Sequence, residues 1–289
     1  MKYRKMVLLL CATYMYSFFM VSCEKTIDFY PGVSKSVAVS SILKLPDTLD
    51  ASVYQYYNFN STIGDWYEVS QCCVWSASVD KQIVRAGNGS MKVELRRNDL
   101  PNGHRSELGT KPGVQNEDGW YAVSLYFPSS FTSDSIDDCI IQWQSLPDFT
   151  LGEQWRSAPL CLGVSNDKFF LDTRTSAKRV NAQGDYSYNR SDLGLVEKNK
   201  WSDWVFHIKW SYDNSGILEI WKNKTKLVSR INLPNSFNDA NYPYFKVGIY
   251  RYDWDKIANN PITSRTVYVD ELKIASKAAD LQKMSSVVN

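Results

Sequence analysis

The chain of 289 residues carries 33 Lys and Arg against 31 Asp and Glu. Three of the basic residues, Lys2, Arg4 and Lys5, precede every acidic one, so the remainder is close to neutral and lacks the cationic excess that nucleic-acid binding requires. Two histidines and no zinc-type cysteine spacing argue against a zinc centre, whereas ten Trp and 18 Tyr supply flat, amphipathic rings that bury well and stack on sugar faces.

The chain opens "MKYRKMVLLLCATYMYSFFMVSC". A basic start runs into an apolar stretch that ends at Cys23, the pattern of a secretory signal too short to span a bilayer stably. "MVSC" resembles a bacterial lipobox, although Met20 stands where Leu is usual. The expectation is a signal over 1–22 and lipidation at Cys23. That implies an exported lipoprotein at the outer membrane, cell surface or periplasm of a Gram-negative bacterium, touching membrane only through its lipid. Residues 23–50, rich in Ser, Val and Lys, read as a tether. The other mature cysteines, Cys72, Cys73, Cys139 and Cys161, allow three pairings between which sequence cannot choose.

Residues 51–277 break into short runs: "GSMKVELRR", "GWYAVSLYF", "DCIIQWQSL", "KFFLDTRT", "DWVFHIKWS", "GILEIWKN", "PYFKVGIYRY" and "TVYVDELKIA". Several alternate with period 2 and are separated by Asn-Gly, Asp-Gly and Asn-Ser-Gly turn signals. This predicts an all-β, two-sheet antiparallel sandwich in one unit, with one sheet face free to hold an extended polymer. Residues 278–289 read as a polar tail, and the protein as a monomer.

Three runs carry polar groups where a second core-facing row would stand. Successive strand residues point to opposite faces. In "YFKVGIYRY", Phe245, Val247 and Ile249 take one face and Tyr244, Lys246, Gly248 and Tyr250 the other. In "GHRSELG", Arg105 and Glu107 share a face opposite His104 and Ser106. In "CIIQWQS", Gln142 and Gln144 oppose Ile141 and Trp143. Paired glutamines are the most telling, since burying an amide without partners costs roughly 1–3 kcal/mol.

In order, "RSEL", "QWQ" and "YFKVGIY" resemble the signature strands of the jelly-roll polysaccharide lyases, the heparin lyase I-like and glucuronan lyase group with the related alginate lyases. The resemblance implies a β-jelly roll that cleaves a uronate chain by β-elimination. Arg105 and Gln142 would neutralise the substrate carboxylate, Lys246 would add positive charge, and Tyr250 would protonate the leaving oxygen. Glu107 would orient Arg105, and Glu107, Tyr244, Arg251 and Trp143 are the substrate-contact candidates. The departure is Gln144, which stands where the family places the histidine that usually takes the C5 proton. Tyr250 could then serve as base and acid, or His207 or His104 could reach in, His104 less readily because it faces away from Arg105. The protein could also bind glycan without cutting it. A glycoside hydrolase is disfavoured, since the clustered carboxylates it needs are missing. No cofactor is implied. Calcium at loops such as "SNDKF" or "NSFNDANY" would be structural, and turn chemistry accounts for their Asp and Asn.

Overall fold

A computed structural model describes residues 49–99, 103–257 and 260–285. The signal 1–22, Cys23 and the tether up to residue 48 lie outside the described residues. Among the described residues the expected all-β sandwich forms, from fifteen strands in two antiparallel sheets.

The first sheet runs β13 (Thr225–Ile231), β12 (Ile217–Lys222), β11 (Trp201–Lys209), β6 (Asp118–Tyr126), β15 (Ser264–Ser276), β4 (Ser90–Arg96) and β3 (Ala77–Asp80), with β1 (Val53–Tyr57) also paired to β15. The second runs β10 (Ser187–Leu195), β9 (Lys168–Thr175), β8 (Leu160–Ser165), β7 (Asp138–Gln144), β14 (Tyr244–Tyr250), β5 (Arg105–Gly109) and β2 (Glu68–Ser70). Asn166 and Asp167 turn the β8–β9 hairpin with φ of 50° and 57°, the left-handed pair that a type I′ turn demands.

Period-2 alternation sends one row of each sheet inward. Ile141 and Trp143 of β7, Leu160, Leu162 and Val164 of β8, and Phe245, Val247 and Ile249 of β14 meet Trp204, Phe206 and Ile208 of β11 in one core. Trp143 is completely buried, edge-on to Tyr121, Phe206 and Phe245 with ring centres 4.9–5.5 Å apart. It therefore cannot touch substrate, and its proposed binding role is corrected to core packing. Truncating it to Ala would cost about 3–5 kcal/mol.

A smaller apolar cluster covers the outer face of the first sheet, joining Val53, Tyr56, Trp120, Val205, Trp221, Ala279 and Met284, with Leu49 and Leu281 against it. The expected polar tail is thus corrected: from 278 to 285 the chain turns into α1 (Leu281–Met284) and packs down. Asp280 caps α1 by accepting from the Lys283 N–H at 2.9 Å. With the first sheet's outer face partly sealed, the second sheet's outer face is the one that carries the signature side chains.

Candidate active site

Three strands of the second sheet build the site. β14 lies between β7 and β5, and its register sets Lys246 opposite Gln142 and Gly109, Gly248 opposite Glu107, and Tyr250 opposite Arg105. Gly248 has φ of +150°. A Cβ there would lie 2.1 Å from the Ser106 carbonyl oxygen and 2.7 Å from the Glu107 Cα, so the glycine lets two backbones touch. This close approach of β5 draws Arg105 and Glu107 against Lys246 and Tyr250.

Glu107 is the hub. It is 1% exposed although it points away from the core. Its Oε1 accepts from Gln142 Nε2 at 2.6 Å, while Oε2 meets Arg105 Nε at 3.1 Å and Lys246 Nζ at 3.0 Å. Lys246 also donates to Glu68 Oε1 at 2.8 Å, and Tyr244 donates to Glu68 Oε2 at 3.0 Å. Burial alone would lower the Lys246 pKa, but Glu107 and Glu68 outweigh it and hold the ammonium above its ordinary value. Burial likewise would raise Glu68, yet Lys246 and the Tyr244 hydroxyl pull it down. Burial pushes the Tyr244 phenol far up, with Glu68 adding to the effect. The cluster is a compensated network in which two cations face two carboxylates.

Glu68, with 29% of its side chain exposed, reaches solvent, and so do Arg105 and the adjoining Tyr250. Arg105, 28% exposed, places its guanidinium carbon 3.9 Å from the centre of the half-buried Tyr250 ring. Burial is opposed by Glu107, Tyr250 and Glu68, so Arg105 stays protonated with its pKa above the usual. Tyr250 rests on Cys139, Cys161 and Phe170 and lies 5.5 Å from Tyr252, ring centre to ring centre. The arrangement presents one phenol and one guanidinium above a floor that neutralises them from below. Such a pair can bind an anion and move a proton beside it.

Of the expected residues, Arg105, Glu107, Gln142, Lys246 and Tyr250 converge as the sequence implied. Several others do not join the Arg105–Tyr250 pair. His207 is corrected: it stands on β11 in the other sheet, with Nε2 3.0 Å from Asp118, Nδ1 3.3 Å from Glu219, and its ring stacked 4.2 Å from Trp120. His104 is buried against Trp254 with its Nε2 3.7 Å from Asp255. Arg251 is corrected from substrate contact to internal bridge, being fully buried and bonded to Asp134 and Asp138. Gln144 reaches the correct face, but the 145–159 loop roofs it and takes its amide N–H on the Arg156 carbonyl at 2.9 Å. Tyr244 and Glu107 are buried supports rather than surfaces for a sugar.

Sequence reasoning missed Glu68, whose three-residue strand β2 offers no periodicity to read. It also passed over Asp172 and Arg174, although "KFFLDTRT" alternates Phe170, Asp172 and Arg174 against Phe169, Leu171 and Thr173. Cys72 and Cys73 bridge each other, and Cys139 and Cys161 are free, buried thiols on the site face. Among the described residues the acidic trio Asp148, Glu153 and Asp239 is close enough to grip a cation, but Arg156 bonds to both Glu153 and Asp239 and supplies the countercharge.

The sequence model of the polysaccharide lyase family matches residues 47–273. Among solved structures, the endo-β-1,4-glucuronan lyase of the fungus Trichoderma reesei superposes with a TM-score of 0.67 at 20% identity, covering 79% of this chain and 98% of that chain. The alginate lyase vAL-1 from Chlorella virus gives 0.47 at 9% identity over 78% and 99% of the two chains. The alginate lyase AlyC3 in complex with dimannuronate gives 0.46 at 12% identity over 66% and 76%. No curated protein matches the sequence.

Proposed function

Because the chain belongs to the polysaccharide lyase family, we propose that it cleaves a uronic-acid polysaccharide by β-elimination, with Tyr250 transferring the proton and Arg105 anchoring the carboxylate. The observation that carries this reading is the Arg105 guanidinium lying 3.9 Å over the Tyr250 ring, while both histidines are engaged elsewhere.

In the proposed step, Tyr250, acting in its deprotonated form beside the Arg105 guanidinium, takes the proton from C5 of the uronate. The resulting phenol returns a proton to O4 as the C4–O4 bond breaks, leaving a C4=C5 double bond in the new sugar end. One residue serving both transfers requires the proton and the leaving oxygen on the same face of the ring. Arg105 and the second N–H of Gln142 meet the carboxylate, whose charge rises as C5 is deprotonated. Preorganised donors of this kind are each worth about 3–4 kcal/mol, and proton transfer through a positioned group about 10²–10⁴-fold. Lys246 is 3% exposed and acts through space and through Glu107.

Purified protein incubated with glucuronan, alginate and heparin-type chains should release an unsaturated product that absorbs ultraviolet light. Glucuronan comes first because the Trichoderma reesei enzyme of that name shares the fold. No absorbing product from any of these polymers would refute the reading. Gln144, in place of the family's histidine, favours one second reading: glycan binding without turnover, in which Tyr250→Phe keeps polymer affinity and no cleavage is ever seen. Export as a lipoprotein rests on the basic and apolar start and on "MVSC". Cys23→Ser should remove the acyl mass and release the protein from membranes.

A further inference from the structure

The reactive pair sits off-centre on its sheet. β5 and β2 flank β14 on one side, whereas β7, β8, β9 and β10 follow on the other. At ~4.8 Å per strand, the last three extend the site face by about 14 Å beyond β7. Register carries one row across them, from Lys246 and Gln142 to Cys161, Asp172 and Arg190. Arg174 and Phe170 stand two residues either side of Asp172 on the same face, and Tyr188 pairs with Arg174.

Asp172 is 3% exposed, and its carboxylate accepts four hydrogen bonds. Oδ1 takes Tyr188 Oη at 2.9 Å and Arg190 Nε at 2.6 Å, and Oδ2 takes Arg190 Nη2 and Arg174 Nη2, both at 2.9 Å. That fills the roughly four lone-pair sites a carboxylate owns, so one buried anion holds two guanidiniums and a phenol in place. Arg190 is also bound by Asp137 and lies 3.8 Å over Phe170. Arg174 is different. Among the described residues it spends one N–H on Asp172 and one on the Ala158 carbonyl, and its other N–H groups meet no acceptor. The ring centre of half-exposed Tyr188 lies 4.9 Å from the Arg174 guanidinium, whose side chain is 14% exposed, and half-exposed Tyr252 lies 5.5 Å from Tyr250, ring centre to ring centre. The nearby acids, Asp137 and Asp192, are already taken by Arg190 and Lys168.

We infer that Arg174 and Tyr188, fixed from below by Asp172, form a second sugar subsite that binds the carboxylate and ring face of an acidic sugar beyond the one being cleaved. Asp172 and Arg190 are positioning residues and Arg174 is the contact. A guanidinium with unused donors over an exposed phenol suits a ring that carries one carboxylate and an apolar C–H face. The inference rests on the uronate-lyase reading and names the site's second point of recognition.

The test compares wild type with Arg174→Gln, Arg174→Lys and Tyr188→Ala on one uronic polymer and on short oligomers of it. Arg174→Gln should raise KM by about tenfold more than it lowers kcat, the size of one charge-assisted hydrogen bond. The lengths of the released oligomers should shift, and Arg174→Lys should recover part of the KM. Calorimetric binding of oligouronates to the Tyr250→Phe protein should weaken by the same factor with Arg174→Gln, whereas carboxyl-reduced oligomers should bind both alike. Tyr188→Ala, a change at an exposed side chain, should weaken binding of both kinds of oligomer if Arg174→Gln fails to fold. A folded Arg174→Gln enzyme with wild-type KM, product lengths and oligomer affinity overturns the inference and leaves the lyase reading standing. If wild type cleaves no uronic polymer, the lyase reading falls, and the calorimetric comparison still decides the subsite.

Discussion

Two clusters among the described residues, one on each sheet, set a proton-carrying ring among charged and aromatic side chains, and they differ in what they leave unbonded. On the first sheet, His207 has a carboxylate at each ring nitrogen and Trp120 stacked on its face, which leaves the imidazole nothing to offer a ligand. On the second sheet, Tyr250 lies beside Arg105, among the described residues no carboxylate is bonded to its hydroxyl, and both side chains reach solvent. Of the charges that support them, Glu107 and Lys246 are buried below, while Glu68 stays partly exposed on the edge strand β2. A saturated group stabilises; an unsaturated group on a saturated pedestal can act.

The sharpest way to break that contrast is Tyr250→Phe. It should lower kcat by about 10³-fold or more, since the proposed mechanism gives both proton transfers to one phenol, with the melting temperature unchanged; the ultraviolet assay and a thermal melt check it. Arg105→Ala should lower kcat/KM by about 10²–10³-fold, and Arg105→Lys should recover little, because an ammonium cannot lie flat over the ring. Glu107→Gln strikes the pedestal rather than the reacting pair. It leaves buried Lys246 with one partner fewer, and breaking such a pair costs about 3–5 kcal/mol, which denaturant melts would show as a loss of stability along with activity.

A smaller effect separates the sheets by pH. Burial pushes the Asp270 carboxyl of the first sheet up to about 7, against backbone N–H bonds from Arg85, Ala86 and Glu271, while neighbouring Glu271 adds to the rise. A raised carboxyl holds its proton more tightly in the folded state, so its contribution is full below about pH 4 and lost as pH climbs towards 7. Glu68, lowered in the folded protein, contributes in the opposite sense, and its share is lost on acidification. Asp270→Asn should flatten the decline in melting temperature between about pH 4 and 7, and Glu68→Gln should not. Smallest of all, His207→Ala should leave kcat/KM within about twofold, as expected for a change far from the site. A large loss there would erase the distinction between the two clusters.

The sandwich was legible because alternation is a local property. Every strand quoted from sequence appears, and the inward row of β14 is the one that period 2 selects. The same rule already sent Trp143 away from Gln142 and Gln144, against the expectation of a sugar contact. Alternation names two faces but not which sheet a strand joins, so His207 could be set opposite Phe206 and Ile208 without revealing that its face belongs to the far layer. Arg251 follows the last residue of β14, where the period stops and Asp134 and Asp138, more than a hundred residues earlier, decide its fate. Gln144 was placed on the correct face, but only the 145–159 loop, which has no periodic signal, shows that it is roofed.

Gly248 has a consequence for how such an enzyme can change. The gap between guanidinium and phenol is dictated by two main chains in contact, with no space for even a methyl between them. On the proposed mechanism, selection for a different polymer has little purchase at that seam and more at bordering turns and at the outlying arginines of the inferred subsite. The proposed chemistry would then be cast in backbone, with taste for substrate left to parts that can be exchanged around it.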